Sequence, residues 1–122
     1  MLNETRVYGF VGPSGTGKSY RAQMVAGEYK IRYIIDDGIL VSDNEIIAGS
    51  SAKKADTKIE TIRRAIFIEE EQRKEMCRAI KKFKPESILI LGTSDKMVRE
   101  IAQNLELPEV QKIIKITSIN LH

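Results

Sequence analysis

The chain has 122 residues, of which 42% are hydrophobic and 30% charged, and its net charge is +3 at pH 7. This composition predicts one soluble globular domain over residues 1–122, and no apolar run reaches the length of a membrane span. A single cysteine excludes an internal disulfide, and the N-terminus lacks the apolar core of a secretory signal, so we expect a cytoplasmic protein.

The first elements along the chain are a strand, a glycine-rich loop and a helix. Residues 6–11 (RVYGFV) are a short apolar run that predicts a strand. Residues 18–30 (KSYRAQMVAGEYK) carry apolar side chains on one face at helical spacing, which predicts a helix. The loop between them contains GPSGTGKS over residues 12–19, which matches the phosphate-binding pattern G-x-x-x-x-G-K-[ST] at every fixed position.

The fixed positions of this loop each have a physical role in holding phosphate. Glycine allows positive φ and lets backbone N–H groups approach an anion. Lys18 can reach the β- and γ-phosphates, and Ser19 offers a hydroxyl to Mg²⁺. The helix that starts here also turns its positive end toward the anion.

On these residues the chain resembles the P-loop NTPase superfamily, with a complete Walker A motif. The resemblance implies that the protein binds ATP or ADP together with Mg²⁺, and that Lys18 acts on the phosphates during catalysis. The predicted nucleotide-binding residues are Gly12, Pro13, Ser14, Gly15, Thr16, Gly17, Lys18, Ser19 and Tyr20.

The second predicted strand ends in two carboxylates. Residues 31–35 (IRYII) are apolar and rich in β-formers, and Asp36 and Asp37 follow them. A carboxylate at the end of an apolar strand is similar to the Walker B pattern, which implies that Asp36 holds Mg²⁺ with Ser19 and that Asp37 is a base or contacts an acceptor. Both are candidate catalytic residues. The alternative is structural, because Asp-Asp-Gly is also favourable turn chemistry.

A hairpin and a basic loop come next. Residues 39–41 and 45–48 flank Ser-Asp-Asn, which predicts two short strands joined by a turn. Residues 49–55 (GSSAKKA) are small, polar and basic, which indicates a surface loop. This loop and the start of the following helix either close over phosphates as a lid or form a solvated charged surface. The basic residues concerned are Lys53, Lys54, Lys58, Arg63 and Arg64.

Residues 57–84 predict a long helix that begins with a capping box, Thr57 and Glu60. Its apolar stripe weakens over residues 69–74, so we expect a kink or a break there. Pro85 sets the end of the helix.

The last third of the chain contains a strand, a helix and a strand. Residues 87–91 (SILIL) predict a strand buried on both faces. That strand ends in Gly92 rather than in an acid, so Asp95 is an alternative carboxylate, although Asp95 also suits a helix start. Apolar residues at helical spacing then predict a helix that Pro108 closes, and residues 112–119 predict a final strand.

Strands that alternate with helices predict an α/β fold. We expect a three-layer, P-loop NTPase-like domain with a mainly parallel sheet of about four to five strands and helices on both faces. The chain ends shortly after its last strand, which is compatible with a fragment of a longer protein.

Two functions fit these patterns. The first is Mg²⁺-dependent ATP binding with ATPase or kinase-like phosphoryl transfer to an unidentified acceptor. The second is a non-catalytic regulatory module, whose basic loop is ordered by ATP or ADP and contacts a protein partner. Residues 93–96 lack the Asn-Lys pair of the guanine-reading N-K-x-D motif, which favours ATP over GTP. Nucleic-acid binding is disfavoured because basic residues and aromatic residues do not cluster together.

Overall fold

The computed structural model describes residues 4–13, 15, 17–50 and 57–116. Strands and helices alternate over most of this part of the chain. The strands are β1 (Arg6–Val11), β2 (Tyr33–Asp36), β3 (Ile39–Ser42), β4 (Glu45–Gly49), β5 (Ser87–Gly92) and β6 (Val110–Lys115). The helices are α1 (Lys18–Tyr29), α2 (Lys58–Ala65), α3 (Glu70–Phe83) and α4 (Asp95–Asn104). None of the described helices is both long and apolar enough to span a bilayer.

The strands of the described residues form one mixed sheet in the order β4-β3-β2-β5-β1-β6. β2, β5, β1 and β6 run parallel, whereas β3 and β4 pair antiparallel at one edge. The α/β class and the mainly parallel core of the sheet are confirmed. The predicted count of four to five strands is too low, because the hairpin β3–β4 extends the sheet from β2 and brings the count to six.

Helices cover both faces of the sheet, as predicted. α1 packs on one face against a cluster that includes Phe10, Leu89 and Leu91. α3 and α4 pack on the other face, in a cluster that includes Ile88 and Ile90. Successive residues of β5 therefore enter opposite cores, and every residue of this strand is buried. Burial on both faces explains why the strand is a continuous apolar run.

Two tight turns fix the hairpin region. Asp37 and Gly38 join β2 to β3 with φ of 54° and 93°. Asp43 and Asn44 join β3 to β4 with φ of 52° and 65°. Positive φ at both central residues is the requirement of a type I′ turn, and Asp, Asn and Gly are the residues that adopt it most readily. The dipeptides Asp37-Gly38 and Asp43-Asn44 therefore both form the kind of turn that their residue types favour.

The predicted long helix is broken, but earlier than residues 69–74. α2 ends at Ala65, and Phe67 takes φ of 61° with its side chain fully buried. The N–H groups of Phe67 and Ile68 donate to the carbonyl oxygens of Arg64 and Arg63, at 3.2 and 3.1 Å. This is the Schellman pattern of a helix end, with a buried aromatic residue in the position that glycine usually takes. β6 also begins two residues before its predicted start, and residues 117–119 lie outside the described residues.

Two glycines allow α4 to lie close to the sheet beside the loop after β1. A Cβ atom at Gly9 in β1 would lie 2.7 Å from Val98 Cγ1, and one at Gly92 in β5 would lie 2.9 Å from Val98 Cγ2. Both distances are too short for carbon atoms. Val98 is fully buried, and its β-branched side chain has little rotational freedom. A larger residue at Gly9 or Gly92 would therefore displace α4.

We expect Gly9→Ala to lower the free energy of unfolding by about 1–3 kcal/mol, because the added methyl group overpacks the contact with Val98. Gly27→Ala is the matched control. Gly27 lies in α1 with open space around its Cα, so the same change should stabilise the protein by about 0.5–1 kcal/mol. Urea unfolding of both variants measures the difference. Equal stability of the two variants would contradict the close contact.

Candidate nucleotide-binding site

The loops that follow β1, β5 and β2 meet at the carboxyl edge of the parallel strands and surround a cleft of about 420 Å³. Ligands bind in open α/β sheets at this edge. The cleft brings together most of the sequence-predicted candidates that the structure describes. Its lining includes Gly15, Gly17, Lys18, Ser19, Tyr20, Asp36, Asp37, Thr61, Thr93 and Met97.

The glycine loop and the start of α1 are shaped to receive an anion. Gly15 and Gly17 have φ of 79° and 72°, a left-handed conformation that glycine adopts without strain. Gly17 is the N-cap of α1, no described side chain caps the helix, and its first turn holds no acidic residue. The positive end of α1 therefore faces the cleft, which is favourable for a phosphate. Ser14 and Thr16, also predicted to bind nucleotide, lie outside the described residues.

The loop is held to the centre of the sheet by backbone and side-chain contacts. The Gly12 N–H donates to the Gly92 carbonyl oxygen at 3.2 Å, which joins the loop to the end of β5. Lys18 Nζ donates to the Gly12 carbonyl oxygen at 2.8 Å. The ammonium group thus lies against the backbone of its own loop, at the mouth of the site.

Ser19 and Asp36 are in direct contact. Ser19 Oγ donates to Asp36 Oδ2 at 2.5 Å. Asp36 ends β2, and β5 lies between β2 and β1. β2 therefore lies two strand spacings, about 10 Å, from β1, and the start of α1 brings Ser19 over to the end of β2. The two oxygen atoms that the sequence predicts as Mg²⁺ ligands converge at one point in the cleft.

Asp37 and Tyr20 lie at the borders of the same cleft. Asp37 is half-buried and occupies the first central position of the β2–β3 turn. The sequence left open whether Asp37 is a turn residue or a residue of the site. In the structure it is in the turn and also lines the cleft. Tyr20 is 76% exposed, so its ring offers an open apolar surface next to Ser19.

The basic residues of α2 do not form a lid over this cleft. Arg63 Nε pairs with Glu69 at 2.7 Å across the α2–α3 break, and Arg64 pairs with Glu60 at 3.6 Å. Lys58 is exposed and, like both arginines, does not line the cleft. Lys53 and Lys54 lie outside the described residues. For the described part of this segment, the interpretation as a solvated charged surface is the better one.

Asp95 is committed to structure rather than to the cleft. It is the first residue of α4, and its carboxylate accepts from Lys115 Nζ at 2.9 Å. Ser94 caps the helix, since its Oγ accepts from the Met97 N–H at 3.1 Å. Acidic residues are favourable in the first turn of a helix. The contacts of Asp95 are thus those of a residue at a helix start, which was the structural interpretation of this aspartate.

Five residues of the cleft were not predicted as site residues, and two of them, Leu91 and Gly92, are the last residues of β5. Thr61 enters from α2, and Thr93 and Met97 enter from the loop after β5 and from α4. Thr93 could have been predicted, because it directly follows the end of a buried parallel strand. Thr61 carries no such signal, since its place depends on how α2 crosses the edge of the sheet.

Two titratable groups outside this cleft, Cys77 and Lys112, have shifted pKa values. Burial raises the pKa of the Cys77 thiol, the nearby Glu106 adds to the effect, and Cys77 Sγ donates to the Leu105 carbonyl oxygen at 3.6 Å. A raised pKa leaves little thiolate at neutral pH, so Cys77 is a poor nucleophile. A hydrogen bond with Tyr29 raises the pKa of the exposed Lys112.

Metal binding in this cleft would not depend on protein ligands alone. Within the described residues, no three His, Cys, Asp or Glu side chains cluster so that they could hold a metal ion. Mg²⁺ in nucleotide sites is usually held by one or two protein oxygens together with phosphates and water. The single pair of Ser19 and Asp36 fits that kind of site.

A family model described as ABC transporter matches residues 1–119, which is nearly the whole chain. The chain belongs to the ABC transporter family. The domain that this model describes is a P-loop NTPase domain, which confirms the resemblance drawn from residues 12–19. A search of curated proteins found no match, and neither did a search of solved structures.

Membership of the ABC transporter family implies the general activity of the domain. Domains of this family bind ATP with Mg²⁺, and ATP hydrolysis is typical of them. The matched Walker A motif is the loop that borders the cleft. Nucleotide binding is thus supported by family, sequence and geometry.

Proposed function

We propose that the chain binds Mg²⁺–ATP in this cleft and hydrolyses the bond to its terminal phosphate. The observation that carries the proposal is the contact between Ser19 Oγ and Asp36 Oδ2 at 2.5 Å. This contact lies beside Lys18 and the positive end of α1. These are the cationic and oxygen groups that a nucleotide with its metal requires.

Lys18 and the N–H groups of the loop hold the phosphates in this proposal. The Lys18 ammonium exchanges the Gly12 carbonyl for phosphate oxygens, which are charged and therefore stronger acceptors. Ser19 and Asp36 hold Mg²⁺, an ion that prefers hard oxygen ligands. When bound, the ion supplies positive charge that offsets the charge of the β- and γ-phosphates. Tyr20 contributes its exposed ring to the same side of the ligand.

Asp37 is the candidate base for hydrolysis. Water attacks the γ-phosphorus, the bond between that phosphorus and the β–γ bridging oxygen breaks, and the electron pair leaves with ADP. The proton of the water passes to the Asp37 carboxylate. Lys18 and the first turn of α1 stabilise the charge on the transferring group without having to move.

Single-turnover assays with γ-labelled ATP and excess protein test the reaction. We expect label to appear as inorganic phosphate when Mg²⁺ is present. Label on an added acceptor would instead support the kinase-like alternative. Bound ATP that stays intact over many hours would refute hydrolysis and favour the regulatory alternative. That alternative depends on residues 49–55, most of which lie outside the described part of the chain, so it stays a prediction.

Lys18→Ala should weaken ATP binding by about 10- to 100-fold, because a hydrogen bond to a charged group contributes about 1.5–3 kcal/mol. The melting temperature should change much less than the affinity, because loss of the hydrogen bond to the Gly12 carbonyl oxygen is offset in part by relief of an unfavourable interaction with the helix dipole. Calorimetric titration and a thermal melt measure the two effects. Lys74→Ala, on the exposed face of α3, makes the same charge change away from the cleft. ATP affinity that is equal in the two variants would refute the role of Lys18.

Asp36→Asn should remove most of the gain in ATP affinity that Mg²⁺ provides, because an amide oxygen is a much weaker Mg²⁺ ligand than a carboxylate. The fold should be kept, since the amide oxygen can still accept from Ser19. Titrations of ATP with Mg²⁺ and with EDTA measure the gain in each protein. Asp43→Asn makes the same chemical change in the turn between β3 and β4, outside the cleft, and serves as the control. If Mg²⁺ raises the ATP affinity of Asp36→Asn as much as that of the wild type, Asp36 is not a ligand of the metal.

Asp37→Asn should slow hydrolysis by at least about 100-fold, the lower end of what general-base catalysis contributes. ATP affinity should change little. The substitution keeps a residue that suits the turn, since asparagine before glycine is favoured in type I′ turns. The single-turnover rate should therefore fall, while the melting temperature should stay close to that of the wild type. A rate within threefold of the wild type would show that Asp37 is only a turn residue.

A further inference from the structure

The amino edge of the parallel strands carries a groove that is both basic and aromatic. This edge lies opposite the nucleotide cleft, since the groove contains Tyr33 and Ser87, the first residues of β2 and β5. The groove has a volume of about 270 Å³. Three of its side chains are cationic, two are aromatic and one is acidic. The residues that line it are Lys30, Arg32, Tyr33, Phe83, Lys84, Pro85, Glu86 and Ser87.

Two segments that are far apart in the sequence form this groove. Lys30 ends α1 and Tyr33 begins β2, whereas Phe83 and Lys84 stand at the end of α3. The rings of Tyr33 and Phe83 pack together with their centroids 6.2 Å apart. The sequence disfavoured nucleic-acid binding because it shows no cluster of basic and aromatic residues. The fold brings such residues into one groove.

The C-terminal half of α3 extends the positive charge from this groove to a second one. Residues 76–85 (MCRAIKKFKP) contain four cations and no acid. The second groove has a volume of about 610 Å³, lies between α3 and the end of α4, and is lined by the cations Arg73, Lys74, Arg78 and Lys81. Glu106 is the only acid among the described residues that line it. Lys81 of the second groove and Lys84 of the first are three residues apart, which is the spacing of neighbours on a helix surface.

The cations at the end of α3 lack the carboxylate partners that other surface cations have. In the first turn of α3, Glu70 pairs with Lys74 at 2.9 Å. Within the described part of the chain, no carboxylate forms an ion pair with Arg78, Lys81 or Lys84. The helix dipole favours cations in the last turn of a helix, but its effect does not extend back to Arg78. The positive charge is therefore available to an anionic partner.

We propose that this basic and aromatic surface binds single-stranded nucleic acid. The cations of the two grooves contact successive phosphates, and an unstacked base lies on the ring of Phe83. Phe83 is 37% exposed, and Tyr33 packs against it and supports the ring. Lys82 Nζ lies 5.6 Å from the centre of the Phe83 ring, close enough to contact a phosphate beside a stacked base. An anionic membrane would use the cations, but a single strand uses both the cations and the rings.

Fluorescence anisotropy of a labelled oligothymidine about 12 nucleotides long measures this binding. At about 150 mM salt we expect a dissociation constant of about 1–100 µM, the range of binding that depends on phosphate contacts. A duplex of the same length should bind more weakly, because its paired bases are not free to stack on Phe83.

The double variant Lys81→Gln with Lys84→Asn tests the phosphate contacts. Asparagine suits position 84, because Lys84 has φ of 47° and asparagine tolerates the left-handed conformation. The affinity should fall by about tenfold or more, and the slope of log affinity against log salt should become shallower by about 1.4, which is about 0.7 for each lost contact. Lys58→Gln with Lys96→Gln removes the same charge at exposed positions outside both grooves, and the affinity should change little.

The variant Phe83→Leu tests the stacking of a base. The affinity for oligothymidine should fall by about fivefold or more, whereas the salt slope should stay the same because no charge is removed. Phe83→Tyr keeps the ring and should keep the affinity. Polyphosphate, which has phosphates but no bases, should bind to Phe83→Leu as it does to the wild type. A thermal melt of each variant shows that it is folded.

Several results would overturn the proposal. One is a wild-type protein that does not bind oligothymidine, and another is an equal loss of affinity in the two double variants. Phe83→Leu with wild-type affinity would do the same, as would a duplex that binds at least as tightly as the single strand. Binding to phosphatidylserine vesicles through Lys81 and Lys84, without binding to oligothymidine, would assign the surface to a membrane. ATP affinity should be unchanged in all these variants, so this proposal and the proposed function fail independently.

Discussion

The close packing of Val98 against Gly9 and Gly92 is the constraint on which the arrangement of the site depends. It brings α4 down onto β1 and β5, where the Gly12 N–H reaches the Gly92 carbonyl oxygen. The same contact excludes a carboxylate from the end of β5, because even a single Cβ atom there would overlap Val98. In the proposed site, the carboxylate that faces the phosphate loop comes instead from Asp36 at the end of β2, the strand next to β5.

Two contacts in the cleft join groups that a nucleotide and its metal would also bind. Lys18 Nζ donates to the Gly12 carbonyl oxygen, and Ser19 Oγ donates to Asp36. A phosphate oxygen is charged and is a stronger acceptor for Lys18 than a carbonyl oxygen. Mg²⁺ prefers oxygen ligands such as those of Ser19 and Asp36. The arrangement of these groups before a ligand binds is therefore suited to a nucleotide with its metal.

Local patterns predicted most of the fold. The strand at residues 6–11 and the buried strand at 87–91 follow from apolar runs, and the inner face of α4 follows from helical spacing. The sequence did not predict that the hairpin extends the sheet, because strand pairing is a non-local property. The break at Phe67 was placed too late, since no glycine marks it and a buried aromatic side chain holds the left-handed residue in place. In the site, the Walker A residues could be predicted, whereas Thr61 depends on tertiary placement.

Asp37 shows why sequence alone could not separate structure from chemistry in this protein. A type I′ turn requires a residue that tolerates positive φ, and aspartate satisfies that requirement without any catalytic role. The turn also places the Asp37 side chain in the cleft beside Asp36. The requirements of the turn and of a base therefore select the same residue type at the same position. Asparagine and aspartate both suit the turn, so only a variant that keeps the turn and removes the carboxylate separates the two roles.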